Sequence, residues 1–410
     1  MYNTITLSNG LRVIHLYCDS PVVYCGYQIA GGTRDEKKGQ EGLAHFCEHM
    51  SFKGTERRTP MQIINCLEKV GGELNAFTTK ESTVYYAAVL KELVPKAADL
   101  LTDIVFRSTY PEQEIVKEVE VICDEIESYN DSPAELIYDD FENIIFGNHP
   151  LGHNILGTQE NVRAFTTADA DAFTGSFYVP ENAIFFCYGD IDFRRLCRLI
   201  EKQQDKIAGR KAAPNMHDSR SSELPERKRQ TIIRDMGTHQ AHVMIGTRAY
   251  GVHDNRRMPL YLLNNILGGP SMNARLNISL REKQGLVYTV ESSMVSYGDT
   301  GLWSTYFGCD QKDIDTCLHS VRKELDRLMS RPLTEAQLRT AKKQIKGQIA
   351  LGCDNHENFA LDFGKAFLHY GWEKDIDTLY RRIEEITALQ LQETAQEIFA
   401  DNRMTTLIYK

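Results

Sequence analysis

The segment Gly42–Met50 reads GLAHFCEHM and sets His45, Glu48 and His49 in an H-x-x-E-H arrangement. On a helix, two imidazoles four positions apart stack one turn from each other on the same face, at the separation that holds a single tetrahedral metal ion. Glu48 projects beside such an ion rather than opposite it, where a carboxylate can take a proton from an activated water. The chemistry implied is hydrolysis of an amide. Two imidazoles leave a tetrahedral site one protein ligand short, and the acidic segment after Pro111 offers a carboxylate. Its Glu118 and Glu125 lie seven residues apart, two helical turns along one face. One of them can bind metal while the other accepts a ring N–H from a ligand histidine, and spacing alone does not say which. The bare motif also fits a helix with two buried, hydrogen-bonded histidines, so the remainder of the chain has to decide.

Two helices must position these groups. Leu43, Phe46 and Met50 fall on the face adjoining the imidazoles and would anchor the first helix, with Gly54 as its end. In the second, Ile115, Val119, Ile122 and Ile126 cover a buried face next to the two glutamates. Thr59-Pro-Met-Gln62 is a capping box with Pro at the first helical position, followed by an apolar face of Met61, Ile64, Leu67 and Val70 and a stop at Gly71-Gly72. Glu73–Thr79 and Ser82–Val89 are β-prone runs split by Lys80-Glu81, which predicts a hairpin.

A stretch over Lys206–Gln230, rich in Lys, Arg, Ser and Pro, divides the chain near its midpoint. The two halves repeat one another. Pro111–Ile126 reads against Leu333–Ile349, with Ile115, Ile122 and Ile126 falling on Leu338, Ile345 and Ile349. Each half opens with strand-like runs, Leu11–Leu16 and Val22–Ala30 in the first, Thr231–Ile233 and Ala241–Gly246 in the second. Each closes as helix, turn and strand, at Ala183–Tyr188 and at Met404–Tyr409. The predicted fold class is α+β: two homologous α/β domains, 1–205 and 231–410, joined by a linker over 206–230, each an antiparallel-rich sheet with helices on one face. Against Glu125 and Glu118 the repeat sets Gln348 and Ala341, and no H-x-x-E-H follows residue 230, so one metal per chain is expected.

The 410 residues carry 47 Lys+Arg against 57 Asp+Glu, a net charge of −10, without a long basic block. That balance argues against nucleic-acid binding, which needs concentrated positive charge. No run is apolar enough for a membrane span and no signal peptide is visible at the start, so a soluble, cytoplasmic protein is expected. The ten cysteines are scattered without a C-x-x-C pair and are expected to be reduced. Cys47, two positions from each motif histidine, should face the core rather than a metal. His149 and His153 are four apart as well, but Pro150 and Gly152 intervene, which predicts a structured loop.

On these residues the chain resembles the pitrilysin-type zinc peptidases, the inverzincins named for this reversed motif. Its length is similar to that of the small bacterial members and of the catalytic subunit of the mitochondrial processing peptidase. The resemblance spans nearly the whole chain and implies His45, His49 and Glu125 as zinc ligands, Glu48 as general base and Glu118 as the carboxylate behind a ligand histidine. Gly268–Tyr288, GGPSMNARLNISLREKQGLVY, is similar to the family's Gly-rich segment and implies that Arg281 and Tyr288 reach the scissile carbonyl from the second half. Gly71–Thr79 is similar to the family's substrate-facing edge strand, which implies that Asn75, Ala76 and Phe77 bind an extended peptide. The resemblance further implies a clamshell closing on a chamber, peptide or unfolded substrates, and homodimers or pairing with an inactive homologous subunit. A different reading, a catalytically silent member serving as a binding or assembly subunit, goes with loss of ligands or base; all four are retained here.

Overall fold

The computed structural model describes residues 2–204, 207, 224–226, 228–371 and 375–410. Most of the linker expected over 206–230 lies outside these residues. Along the chain run β1 Tyr2–Thr6, β2 Arg12–Leu16, β3 Val22–Ile29, α1 Leu43–Met50, α2 Pro60–Glu68, β4 Glu73–Thr78, β5 Thr83–Leu90, α3 Val94–Phe106 and α4 Glu112–Asn130. There follow α5 Pro133–Phe146, α6 Gln159–Ala164, α7 Thr167–Phe177, β6 Ala183–Tyr188 and α8 Phe193–Gln204. The second half holds β7 Gln230–Arg234, β8 Gln240–Ala249, α9 Arg257–Gly268, β9 Val287–Ser296, β10 Gly301–Asp310, α10 Ile314–Ser330 and α11 Glu335–Cys353. It ends with α12 His356–Tyr370, α13 Ile376–Glu385, α14 Ala388–Ile398 and β11 Thr405–Tyr409.

These elements form two α/β units, each with one sheet. The first sheet has the order β1-β2-β6-β3-β5-β4 and the second β7-β11-β8-β10-β9. The two orders coincide once β1 is set aside. In both, the last strand of the half runs parallel to the first strand and antiparallel to the next, β6 between β2 and β3, β11 between β7 and β8. The repeat read from the sequence is therefore a repeat of topology. The expected hairpin is β4–β5, in register from Glu73 opposite Ala88 to Thr78 opposite Thr83, and β4 is an edge strand.

The units do not follow the two halves strictly. One comprises the described residues of 1–128, 153–222 and 352–374, the other those of 129–152, 223–351 and 375–410. Helix α12, from the second half, thus packs on β3 and β6 in the first unit, and α5, from the first half, packs on β8 and β11 in the second. This alters two expectations, the division at residues 205 and 231 and the placing of helices on a single sheet face. The physical reason is that both faces of each sheet are apolar. Val13, Val23, Cys25, Tyr27 and Phe185 face the core under α3. On the other face, Phe186 and Tyr188 meet Phe359 and Phe363 of α12 edge-on. Gly364 makes this approach possible, because a Cβ there would lie 2.7 Å from the Gln28 amide nitrogen. In the second unit, Phe141 and Phe146 of α5 cover Met244, Leu302 and Leu407 in the same way.

The helix after Thr59 starts with its capping box and Pro at the first turn. Its buried face is Ile63 and Leu67; Met61, Ile64 and Val70 of the expected face are exposed. Helix α4 buries Ile115, Val119, Ile122 and Ile126 as expected, with Glu118 among them. No described helix is long and apolar enough to cross a membrane. The ten cysteines are all free thiols, and Cys47 is fully buried.

Candidate metal centre

Helix α1 begins at Gly42 with φ +99°, a left-handed conformation, and a Cβ there would come within 2.7 Å of the Leu156 carbonyl oxygen. Glycine is the residue that admits both. The orphan amide donors of this helix start are met by a carboxylate from outside: Glu36, fully buried, accepts from Gly42 N at 3.0 Å and Ala44 N at 2.7 Å. His153 Nε2 lies 3.0 Å from the same carboxylate. Burial raises the Glu36 pKa, with the histidine and the two amides opposing. Leu43, Phe46, Cys47 and Met50 then bury in the core and fix the rotation of the helix. The helix stops at Met50 with Ser51 as its cap, earlier than the expected end at Gly54.

This rotation sets the two motif imidazoles side by side, ring centroids 4.5 Å apart. Both turn Nε2 towards Glu125 of α4, whose Oε2 is 3.4 Å from His49 and 3.8 Å from His45. One donor atom from each of the three residues lies within 4.8 Å of the others. Ligands about 2.0–2.1 Å from a tetrahedral ion stand roughly 3.3 Å from one another, so the donors are close to the spacing zinc requires. The donor set, two imidazole nitrogens and a carboxylate oxygen, is that of a catalytic zinc centre with one position left for water or substrate. His45 is buried, His49 half-buried and Glu125 half-exposed, so the site is anchored in the core and open to solvent.

Glu118 lies two turns before Glu125, about 10 Å along the helix axis, and the two carboxylates grip opposite nitrogens of His49. Glu118 Oε1 is 2.9 Å from Nδ1. Its other oxygen is held by Lys53 Nζ at 2.5 Å. Burial works to raise the Glu118 pKa, but the bonds to His49 and Lys53 outweigh it and the carboxyl is held below its ordinary value. Glu48 is buried beside the imidazoles and accepts a 2.6 Å hydrogen bond at Oε2 from Thr78 of β4. Burial pushes its pKa up, with the Thr78 bond and His49 opposing.

The two imidazoles titrate in opposite directions. Burial and the neighbouring charge of His49 bring His45 down to about 4. For His49, burial lowers the pKa, but the contacts with Glu118, Glu125 and Glu48 win and carry it up to about 9. Of the two imidazoles, only His49 therefore carries the extra proton at pH 7 without metal, and a ligand histidine must be neutral. Zinc binding at pH 7 should release close to one proton, and zinc affinity should rise about tenfold per pH unit between pH 5 and 8, levelling above about 9. Calorimetry at pH 7 in buffers of different ionisation enthalpy measures this directly; zinc uptake without proton release would remove the assignment of His49.

Spacing did not reveal three residues that shape this centre. Lys53 stands four positions after His49, a signal the sequence carried. Thr78 lies in the β4 run, and only the pairing of β4 with β5 and its packing on α1 bring it to Glu48. Glu36 has no local signature. His153 goes to Glu36, and His149 is buried in the loop after α5, so neither enters the cluster.

The remaining expected residues are carried by other elements. Asn75, Ala76 and Phe77 are on the edge strand β4, partly or fully exposed. Arg281 and Tyr288 belong to the second unit: Arg281 on a π-helical segment, Asn277–Glu282, and Tyr288 near the start of edge strand β9. The Arg281 guanidinium stands 5.5 Å from the Tyr288 ring centroid, and Tyr288 is 81% exposed. π-Helical turns are rare and recur at functional sites.

Residues 13–159 match the family described as insulinase (peptidase family M16), and residues 164–345 match the peptidase M16 inactive domain. The chain belongs to peptidase family M16, the pitrilysin-type family. An uncharacterized zinc protease of Bacillus subtilis is 31% identical over 411 residues, covering 100% of this chain and 98% of the relative. Another, of Mycobacterium leprae, is 32% identical over 96% of this chain and 88% of its own length. Among solved structures, a protease from Helicobacter pylori superposes with a TM-score of 0.90 at 21% identity, over 100% of this chain and 99% of that one. A peptidase M16 inactive domain from Pseudomonas fluorescens gives 0.88 at 17% identity, over 100% and 97%. At these identities the two structures speak for the fold. The first unit of this M16 chain carries the metal cluster, and Gln348 stands in α11 where α4 has Glu125.

Proposed function

We propose that this chain is a zinc-dependent endopeptidase acting on peptides or unfolded polypeptide segments. The observation that carries the reading is the convergence of His45, His49 and Glu125 with Glu48 beside them. A zinc ion held by the first three would supply Lewis acidity, bringing water to a pKa of about 7 and polarising a carbonyl. The chain's own groups do the rest. Thr78 occupies Glu48 Oε2, which leaves Oε1 to take the proton of the attacking water and deliver it to the leaving amine. Burial raises the Glu48 pKa, which helps the carboxyl hold the proton between the two transfers. Glu118 fixes the His49 ring and its tautomer through Nδ1.

The edge position of β4 supports Asn75, Ala76 and Phe77 as the place where substrate adds as a further strand, through main-chain hydrogen bonds that favour broad specificity. The family resemblance supports Arg281 and Tyr288 as the pair that orients the scissile carbonyl and steadies the developing oxyanion. Arg281→Gln is then expected to lower kcat about 10²- to 10³-fold with zinc content unchanged; an unaltered rate would detach that pair from catalysis. The reading as a whole is tested by zinc analysis together with digestion of a peptide library, with and without chelator. One zinc per chain and chelator-sensitive cleavage are expected. Stoichiometric zinc without hydrolysis of any peptide would favour a silent assembly subunit.

A further inference from the structure

The second unit has its own counterpart of the cleft between α1 and α4. Helix α9 packs on edge strand β9 and against α14, as α1 packs on edge strand β4 and against α7. Helix α11 repeats α4, with Ala341 in the place of Glu118. Between α9, the segment 273–275 and α11 lies a cavity of about 380 Å³, lined in part by Ala341. That volume is within the range of small-ligand pockets.

Its chemistry differs in sign from that of the metal centre. In place of imidazoles and carboxylates it presents Arg275, the amides of Asn265, Gln337 and Gln344, and apolar walls from Ile266 and Leu333. Arg275 is half-buried, and among the described residues its guanidinium has no hydrogen bond or ion pair. The carboxylate whose charge reaches it, Glu324, is engaged by Arg327. Asn265 is nine-tenths buried, and its amide Nδ2 has no partner among the described residues. An amide donor withdrawn from water without a partner is costly to maintain, and the Arg275 cation beside it has no counter-ion of its own. Both line the same cavity.

We propose that this cleft binds a carboxylate with an aliphatic body, the guanidinium fork of Arg275 taking its two oxygens and the cavity amides completing the hydrogen bonds. One cationic side chain matches a monoanion better than a phosphate dianion, and Ile266 and Leu333 match a branched aliphatic group. Such a carboxylate comes either from a peptide C-terminus or from a small free acid. The site is independent of zinc, and its role stands whether or not the chain is a peptidase.

The test uses the full chain freed of metal, so that no carboxylate can ligate zinc. N-acetyl-leucine is titrated calorimetrically, followed by its carboxamide and acetyl-Ala-Leu with a free C-terminus. The acid is expected to bind at least tenfold more tightly than the amide. Arg275→Gln should abolish this preference. Gln344→Glu, at a half-exposed position hydrogen-bonded only to Asn273, should weaken acid binding about tenfold with the thermal transition retained, and it carries the test if the Arg275 variant fails to fold. Tighter binding of acetyl-Ala-Leu assigns the site to peptide ends, and tighter binding of N-acetyl-leucine to small acids; both support it. Equal affinity for acid and amide, undiminished acid binding in Gln344→Glu, or no binding at millimolar acid would overturn it.

Discussion

Glu48→Gln is expected to retain stoichiometric zinc and to lose about 10²- to 10⁴-fold in kcat, the range that a positioned general base contributes. The loss corresponds to roughly 3–5 kcal/mol of transition-state stabilisation. The amide preserves the shape of the side chain and can still accept from Thr78 Oγ1, so α1 and the positions of His45 and His49 should persist. What disappears is the capacity to hold a proton at Oε1. Retained fold and zinc with a lost rate isolate the proton transfer from metal binding. A variant with full zinc and near-native turnover would show that water is deprotonated by another group.

Glu125→Gln should release the metal. A neutral amide replaces the anion that faces both imidazole nitrogens, at 3.4 and 3.8 Å, and the site loses its third ligand. Loss of affinity in competition with a fluorescent chelator should exceed the approximately 10- to 100-fold expected when only a supporting hydrogen bond is removed. Glu118→Gln supplies that comparison, because Glu118 touches His49 at Nδ1 and not at Nε2. The predicted order of zinc affinity is native, then Glu118→Gln, then Glu125→Gln. Equal zinc retention in the native protein and in Glu125→Gln would transfer the third ligand to another carboxylate.

Helix-borne parts of the site were legible because helical spacing is a geometric rule. Four residues place His45 over His49, and seven place Glu118 and Glu125 on one face beside Ile115, Ile122 and Ile126. Spacing could not say which glutamate ligates and which supports, because that depends on which nitrogen of His49 each carboxylate meets across two helices. Thr78 and Glu36 were invisible for the same reason, each being joined to α1 only by long-range packing. The misreading of α2 has a different origin: Met61 and Ile64 satisfy the helical period beside Leu67 as well as Ile63 does, and only the packing against α3 and β4 selects Ile63.

The sequence by itself determined the repeat, the helices that carry the ligands, the hairpin and the chemistry of the motif, because these depend on local periodicity and side-chain type. Tertiary structure decided which half each helix serves. Sheets with two apolar faces demand cover on both, and α5 and α12 supply it from the opposite halves of the chain. It also decided protonation. His45 and His49 are the same residue on the same helix, yet burial draws one to about 4, while three carboxylates raise the other to about 9. Electrostatic surroundings of that kind arise only when distant segments are brought within a few ångströms.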